Sequence, residues 1–171
     1  MAVRSLKLDQ GVEGVPRRFH PHILKHHVKP ADLKGYRKAD NLRNVEEALD
    51  FYVKMCSLSV TAESLAGLGL LLANDGVDPS GKRLLNSDTV RVVKTIMLTC
   101  GMYDGSGEFA VRVGIPSKSG VGGGLLSVVD GKMGIGIYGP SLDAKGNSIA
   151  GRKILQFLSS QMKLHIFAKK D

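Results

Sequence analysis

Between Thr61 and Asn74 the chain is apolar nearly all round, with Leu65, Leu68 and Leu72 set among alanines and glycines and a single charge, Glu63, near its start. A helix without a polar face has to be covered on most of its circumference, so this segment is expected to be a deeply buried helix. That requirement bounds the fold. A chain of 171 residues with 43% hydrophobic content can bury one good core, which gives one globular domain with a tail.

The tail is expected at the N-terminus. Residues 1–41 hold four of the five histidines, three of the six prolines and no sustained apolar period. They carry nine Lys or Arg against four Asp or Glu, or +5 of the chain's +8. We therefore divide the chain into a basic, His-rich, poorly ordered leader over 1–41 and a folded part over 42–171. The leader lacks the interleaved aromatics of a nucleic-acid surface beyond Phe19 and Tyr36, so a solvated tail is expected and no nucleic-acid partner. His20, His22, His26 and His27 cannot be gathered by one regular conformation, and no metal is expected. No stretch approaches the roughly 20 apolar residues that span a bilayer, and charges occupy the place of a signal sequence. No membrane association is expected, and the location is read as cytoplasmic. Cys56 and Cys100, without a CxxC spacing, are read as reduced, half-buried packing residues.

The remaining elements follow from period and punctuation. Asn44 with Glu47 three residues on can cap a helix over about 45–56. Gly76 ends the apolar helix, and Ser87 is expected to cap a third helix that stops at Gly101. Beyond it the pattern reads as extended. Glu108–Val113 alternates, Leu125–Val129 is apolar, and Asp130-Gly131 before Lys132–Tyr138 signals a hairpin. Asn147 or Ser148 then caps a terminal helix carrying Ile154, Leu155, Leu158 and Met162 on one face. Three helices, about three antiparallel strands and a helix give an α+β class, with helices packed on one sheet.

The chemistry concentrates in Cys100-Gly101-Met102-Tyr103-Asp104 and Lys118-Ser119-Gly120-Val121-Gly122-Gly123-Gly124. Alternation along a strand aims Lys118 and Gly120 to one side, placing an ammonium at a cavity beside a residue with no side chain. The Val121 amide is then a candidate oxyanion donor. Tyr103, just beyond a helix end on a Gly-punctuated loop, can project a phenol into a cleft. Taken alone, Lys118-Ser119-Gly120 is more readily an ordinary turn into a strand, and Tyr52 more readily a tyrosine at the core edge.

Five segments in order resemble the glutaminase family: Leu49-Asp50-Phe51-Tyr52, Cys56-Ser57-Leu58-Ser59-Val60-Thr61, Leu72-Ala73-Asn74-Asp75-Gly76, Cys100-Gly101-Met102-Tyr103 and Pro116-Ser117-Lys118-Ser119-Gly120-Val121. Asp143-x-x-Gly146-Asn147-Ser148 extends the resemblance, which covers about 45–167. It implies part of a β-lactamase-like domain in a homo-oligomer, with L-glutamine as substrate, hydrolysed through a serine acyl-enzyme without cofactor. Residue by residue it implies that Tyr52 and Tyr103 line the glutamine site and that Tyr103 moves a proton. It further implies that Lys118 belongs to the catalytic wall, that Val121 supplies the oxyanion amide, and that Ser119 and Gly120 support it.

The family's nucleophilic Ser-x-x-Lys is not recognisable in residues 1–44. The sole match is Ser160-Gln161-Met162-Lys163, which follows the Lys118 strand where the family's motif precedes it, and chance accounts for it. The chain thus reads as a truncated or rearranged glutaminase. Its alternatives are a non-catalytic remnant acting as an interaction module and, on Lys-Ser-Gly alone, β-lactamase or peptidase chemistry.

Overall fold

The computed structural model describes residues 2–5 and 45–169. They fall into two units, one holding residues 45–60 and the other residues 2–5 together with 61–169. The predicted leader, its histidines and the Asn44 cap lie outside the described residues, except that Ala2–Ser5 forms a strand, β1.

The first unit contains helix α1, Val45–Cys56, at the predicted place. Glu46 and Glu47 in its first turn and Lys54 in its last suit the helix dipole, and Lys54 pairs with Asp50 at 2.6 Å.

In the second unit the apolar run forms α2, Ala62–Ala73. Thr61 caps it by accepting the Ser64 N–H at 3.0 Å. Helix α3, Ser87–Cys100, is capped by Asn86 and not by Ser87 as expected: Asn86 Oδ1 accepts the Asp88 N–H at 2.8 Å. The Ser87 hydroxyl is engaged elsewhere, donating to Asp75 Oδ2 at 2.5 Å.

After Gly101 the expected strand over Glu108–Val113 is instead a short helix, α4, Ser106–Arg112. Phe109 and Val113 are buried four residues apart while Val111 is 80% exposed. A strand would have put all three on one face, so the helical period separates them correctly. Strands β2, Ser117–Ser119, β3, Gly124–Val129, and β4, Met133–Tyr138, follow, and α5, Ile149–Met162, closes the unit. Ser148 caps α5 through the Gly151 N–H, one of the two predicted alternatives.

The sheet order is β1-β4-β3-β2, antiparallel throughout. The Asp130-Gly131 hairpin joins β3 to β4, with Val129 paired to Met133 and Gly131 at φ +64°. Lys94 of α3 pins that turn through Asp130 at 2.5 Å. Helices cover both faces of the sheet, one more layer than the sequence suggested. Leu126 and Val128 pack with Leu72, Val90 and Met97 on the α2–α3 side. Leu125, Val129, Ile135 and Ile137 pack with Phe109, Val113 and Leu155 on the α4–α5 side.

Helix α2 lies directly on β4 because two glycines remove the intervening side chains. A Cβ on Gly134 would fall 2.2 Å from the Ala66 carbonyl, and one on Gly136 only 1.8 Å from the Ala62 carbonyl. Among the described residues no helix is long and apolar enough to cross a membrane, and no group of three or more His, Cys, Asp or Glu could hold a metal ion.

Candidate functional site

The cluster around Tyr103 is built from three chain segments of the second unit. The first is the end of α3. Gly101 caps that helix and lies against β2 so closely that a Cβ there would sit 1.8 Å from the Ser117 carbonyl, while the Gly101 carbonyl accepts the Ser119 N–H at 2.9 Å. Tyr103 follows at φ +50°, a conformation that costs a bulky L-residue roughly 1–3 kcal/mol. It is held there from both sides of the turn. The Ser106 hydroxyl accepts the Met102 N–H at 3.0 Å and donates to the Tyr103 carbonyl at 2.7 Å. Asn147 Nδ2 donates to the Met102 carbonyl at 3.0 Å from a fully buried side chain.

The second segment is the β2–β3 hairpin. Lys118 stands opposite Leu126 and so on the α2–α3 face, while Ser117 and Ser119 are buried on the other. Although Lys118 as a residue remains exposed, its ammonium lies 4.6 Å from the Tyr103 ring centroid and donates to the Ser119 carbonyl. Burial pushes it below its ordinary pKa, and Cys100 acts in the opposite direction. Past Ser119 the ladder continues by one bond, Gly120 N–H to Gly124 O, and the turn Gly120–Gly123 closes at 2.9 Å. Gly123 at φ +89° completes a three-residue hairpin loop. Val121 occupies the first corner of that turn. Its side chain is exposed, and its N–H has no hydrogen-bond partner among the described residues.

The third segment is the loop 143–148, which brings the other two together. A Cβ at Gly146 would lie 3.7 Å from Tyr103 Cε2 and 3.8 Å from Val121 Cγ1, so the ring, the turn and this loop meet at a residue without a side chain. Asp143 organises the loop. Its Oδ1 accepts the N–H groups of Lys145 and Asn147 at 2.9 and 3.0 Å, and its Oδ2 accepts Arg152 Nη1 at 2.6 Å. The Asn147 N–H, foremost, holds its pKa below the ordinary 3.8, and Arg152 and the Lys145 N–H add to the effect. Because the folded pKa is depressed, this stabilisation is complete above the unfolded value and is lost as pH falls through the folded one. Acidification to below the ordinary 3.8 should therefore lower the hydrogen-exchange protection factors of Gly146 and Asn147, taken against intrinsic rates at the same pH, before global unfolding, and Asp143→Asn should show the lower protection already at pH 7.

Tyr103, Lys118, Ser119, Gly120 and Val121 thus share one cluster. Tyr52 belongs to the other unit, half-exposed on α1, where a hydrogen bond with Cys56 and then that residue's charge hold its phenol above its ordinary pKa, with burial adding to the shift. Cys56 and Cys100 are exposed, not half-buried as expected; Cys100 faces outward at the end of α3 with its thiol on the Ile96 carbonyl at 3.2 Å. Ser160 is exposed in the last turn of α5, and Lys163 beyond it leaves the helix at φ +52°. Asn147, Ser106 and Gly146 were not singled out as site residues from the sequence.

The family whose model matches the chain is Glutaminase, over residues 27–167. The glutaminase of Fusobacterium nucleatum is 62% identical over 124 residues, 72% of this chain and 41% of that protein. The glutaminase of Clostridioides difficile is 58% identical over 125 residues, 72% of this chain and 40% of that protein. Among solved structures, a Bacillus subtilis glutaminase in covalent complex with 5-oxo-L-norleucine, formed by reaction with 6-diazo-5-oxo-L-norleucine, superposes with a TM-score of 0.79 at 38% identity. That match covers 89% of this chain and 57% of the other. The chain spans about two-fifths of the length of the curated relatives it matches. Its helices and antiparallel sheet are part of the β-lactamase-like glutaminase fold, and the chain belongs to the glutaminase family.

Proposed function

We propose that this chain carries one wall of a glutaminase active site, hydrolysing L-glutamine to L-glutamate and ammonia in an assembly that also supplies a nucleophilic serine. The observation that supports it is the Tyr103 ring, which meets Val121 at Gly146 and carries the Lys118 ammonium over its face. A serine oxygen attacks the side-chain amide carbon, and the Val121 N–H, without a partner among the described residues, receives the developing oxyanion. The Tyr103 hydroxyl, with the Lys118 ammonium beside its ring, gives its proton to the departing ammonia and is reprotonated by the proton the serine loses. Water then cleaves the acyl-enzyme to give glutamate, one of its protons returning to the serine. Tyr52 and Tyr103 line the glutamine site, Ser119 and Gly120 hold the wall in place, and no metal or organic cofactor takes part. The assembly is a cytoplasmic homo-oligomer in this reading.

The test is complementation. The chain is mixed with the portion of the Fusobacterium nucleatum glutaminase that precedes the matched region, and ammonia release from L-glutamine is followed. Turnover should appear in the mixture, and 6-diazo-5-oxo-L-norleucine should add mass to a serine of the complementing fragment. A folded mixture with neither ammonia nor labelling would sink the proposal.

A second reading follows from the sequence, in which Ser160-Gln161-Met162-Lys163 is the sole Ser-x-x-Lys and lies on α5. Here the wall persists in an interaction module that performs no chemistry. Labelling of any serine would count against it.

A further inference from the structure

Helices α4 and α5 and the 143–148 loop line a cleft of about 240 Å³, which shares with the Tyr103 cluster only Asp143 and its partner Arg152. Its apolar walls are Phe109 and Val113 from α4 and Ile149 from the first turn of α5. Its remaining wall is mostly cationic, with Arg112, Arg152 and Lys153 lining it beside Asp143 and Gln156. Positions 149, 152, 153 and 156 recur at helical spacing, so one face of the first two turns of α5 is turned to the cavity.

The charges there are unbalanced. Glu108 Oε1 serves both Arg112 Nε at 3.3 Å and Arg152 Nη2 at 3.8 Å, and its Oε2 lies 3.7 Å from Lys145. Asp143 takes Arg152 Nη1. Two carboxylates thus answer Arg112, Arg152 and Lys145, and Lys153 has no ion pair among the described residues. A guanidinium offers five N–H donors, and Arg112 meets Glu108 only through Nε, which leaves its two terminal nitrogens available.

We propose that this cleft binds a small organic carboxylate, its apolar body against Phe109, Val113 and Ile149 and its charge on Arg112 and Lys153. A carboxylate suits a guanidinium fork, and an apolar body suits walls that an inorganic anion would leave in contact with water. The inference goes beyond the glutaminase reading and is read without turnover.

Benzoate serves as the probe in a titration of the ¹⁵N-labelled full chain at low salt. Saturable shifts are expected at the amides of Arg112, Val113, Ile149 and Lys153. Benzyl alcohol, which has the ring without the charge, and sulfate, which has charge without the ring, should each bind about tenfold more weakly or less. Arg112→Gln and Lys153→Gln, both at exposed positions, should each weaken benzoate about tenfold, whereas Lys132→Gln in the β3–β4 turn should leave it unchanged. Either cavity variant alone suffices if the other does not fold. Shifts that do not saturate, sulfate binding as tightly as benzoate, or retention of full affinity by the folded variants would each overturn the site.

Discussion

Gly136→Ala should strongly destabilise the second unit, while Gly67→Ala, in the helix that packs on the same strand, should raise its stability. The Gly136 Cβ would lie 1.8 Å from the Ala62 carbonyl and 2.7 Å from the Ala66 amide, both backbone atoms of α2. No rotamer change can relieve such an overlap, so α2 must lift from β4 and give up its packing on the sheet. Overpacking of a core typically costs about 1–3 kcal/mol, and a clash against helix backbone belongs at or above the top of that range. At Gly67 an added Cβ meets nothing within 4 Å, and removing a glycine from a helix interior gains about 0.5–1 kcal/mol. Urea midpoints of the three proteins check both signs at once. A Gly136→Ala midpoint within error of the parent would mean that α2 does not rest on β4 as described.

The other large effect is on turnover in the complemented assembly. Tyr103→Phe keeps the ring, and with it the contact to the Lys118 ammonium, and removes the hydroxyl alone. If that hydroxyl carries the proton, kcat should fall by about 10²–10⁴ with little change in stability. Val121→Pro tests the oxyanion donor. The Val121 N–H has no hydrogen bond in the turn to lose, so the substitution deletes the donor and leaves the Gly123 N–H to Gly120 O bond in place. Its loss should cost about 10²–10³ in kcat, against near-parent rates for Val121→Ala, which keeps the amide and trims an exposed side chain. Circular dichroism establishes that each variant is folded. Equal rates for the proline and alanine variants would remove Val121 from the site, and parent turnover by Tyr103→Phe would remove Tyr103.

Most of the helices were legible because their signals are local. An all-apolar run from Thr61 to Asn74 and a stop at Gly76 are read within one segment, and α2 lies where they put it. The Glu108–Val113 alternation misled because Phe109 and Val113 satisfy both periods, and Val111 decides between them only once its exposure is known. Ser87 was a plausible cap, but Asn86 stood one residue nearer the helix start and Asp75 had a use for the serine hydroxyl. The motifs located Tyr103, Lys118 and Val121, yet nothing local revealed that Gly146 lies against Tyr103 or that Asn147 reaches back to the Met102 carbonyl. Those contacts join segments some forty residues apart, and no period or cap encodes them.

Strand β1 precedes every other described element, yet its partner is β4: Ala2 pairs with Gly136 and Ser5 with Met133. During synthesis β1 therefore waits for α2, α3, α4, β2 and β3 as well as β4 before its ladder can form. Closing so long a loop carries a large entropic cost before any contact offsets it, so this pairing should come late in folding. Until it forms, β4 presents an open edge to other chains.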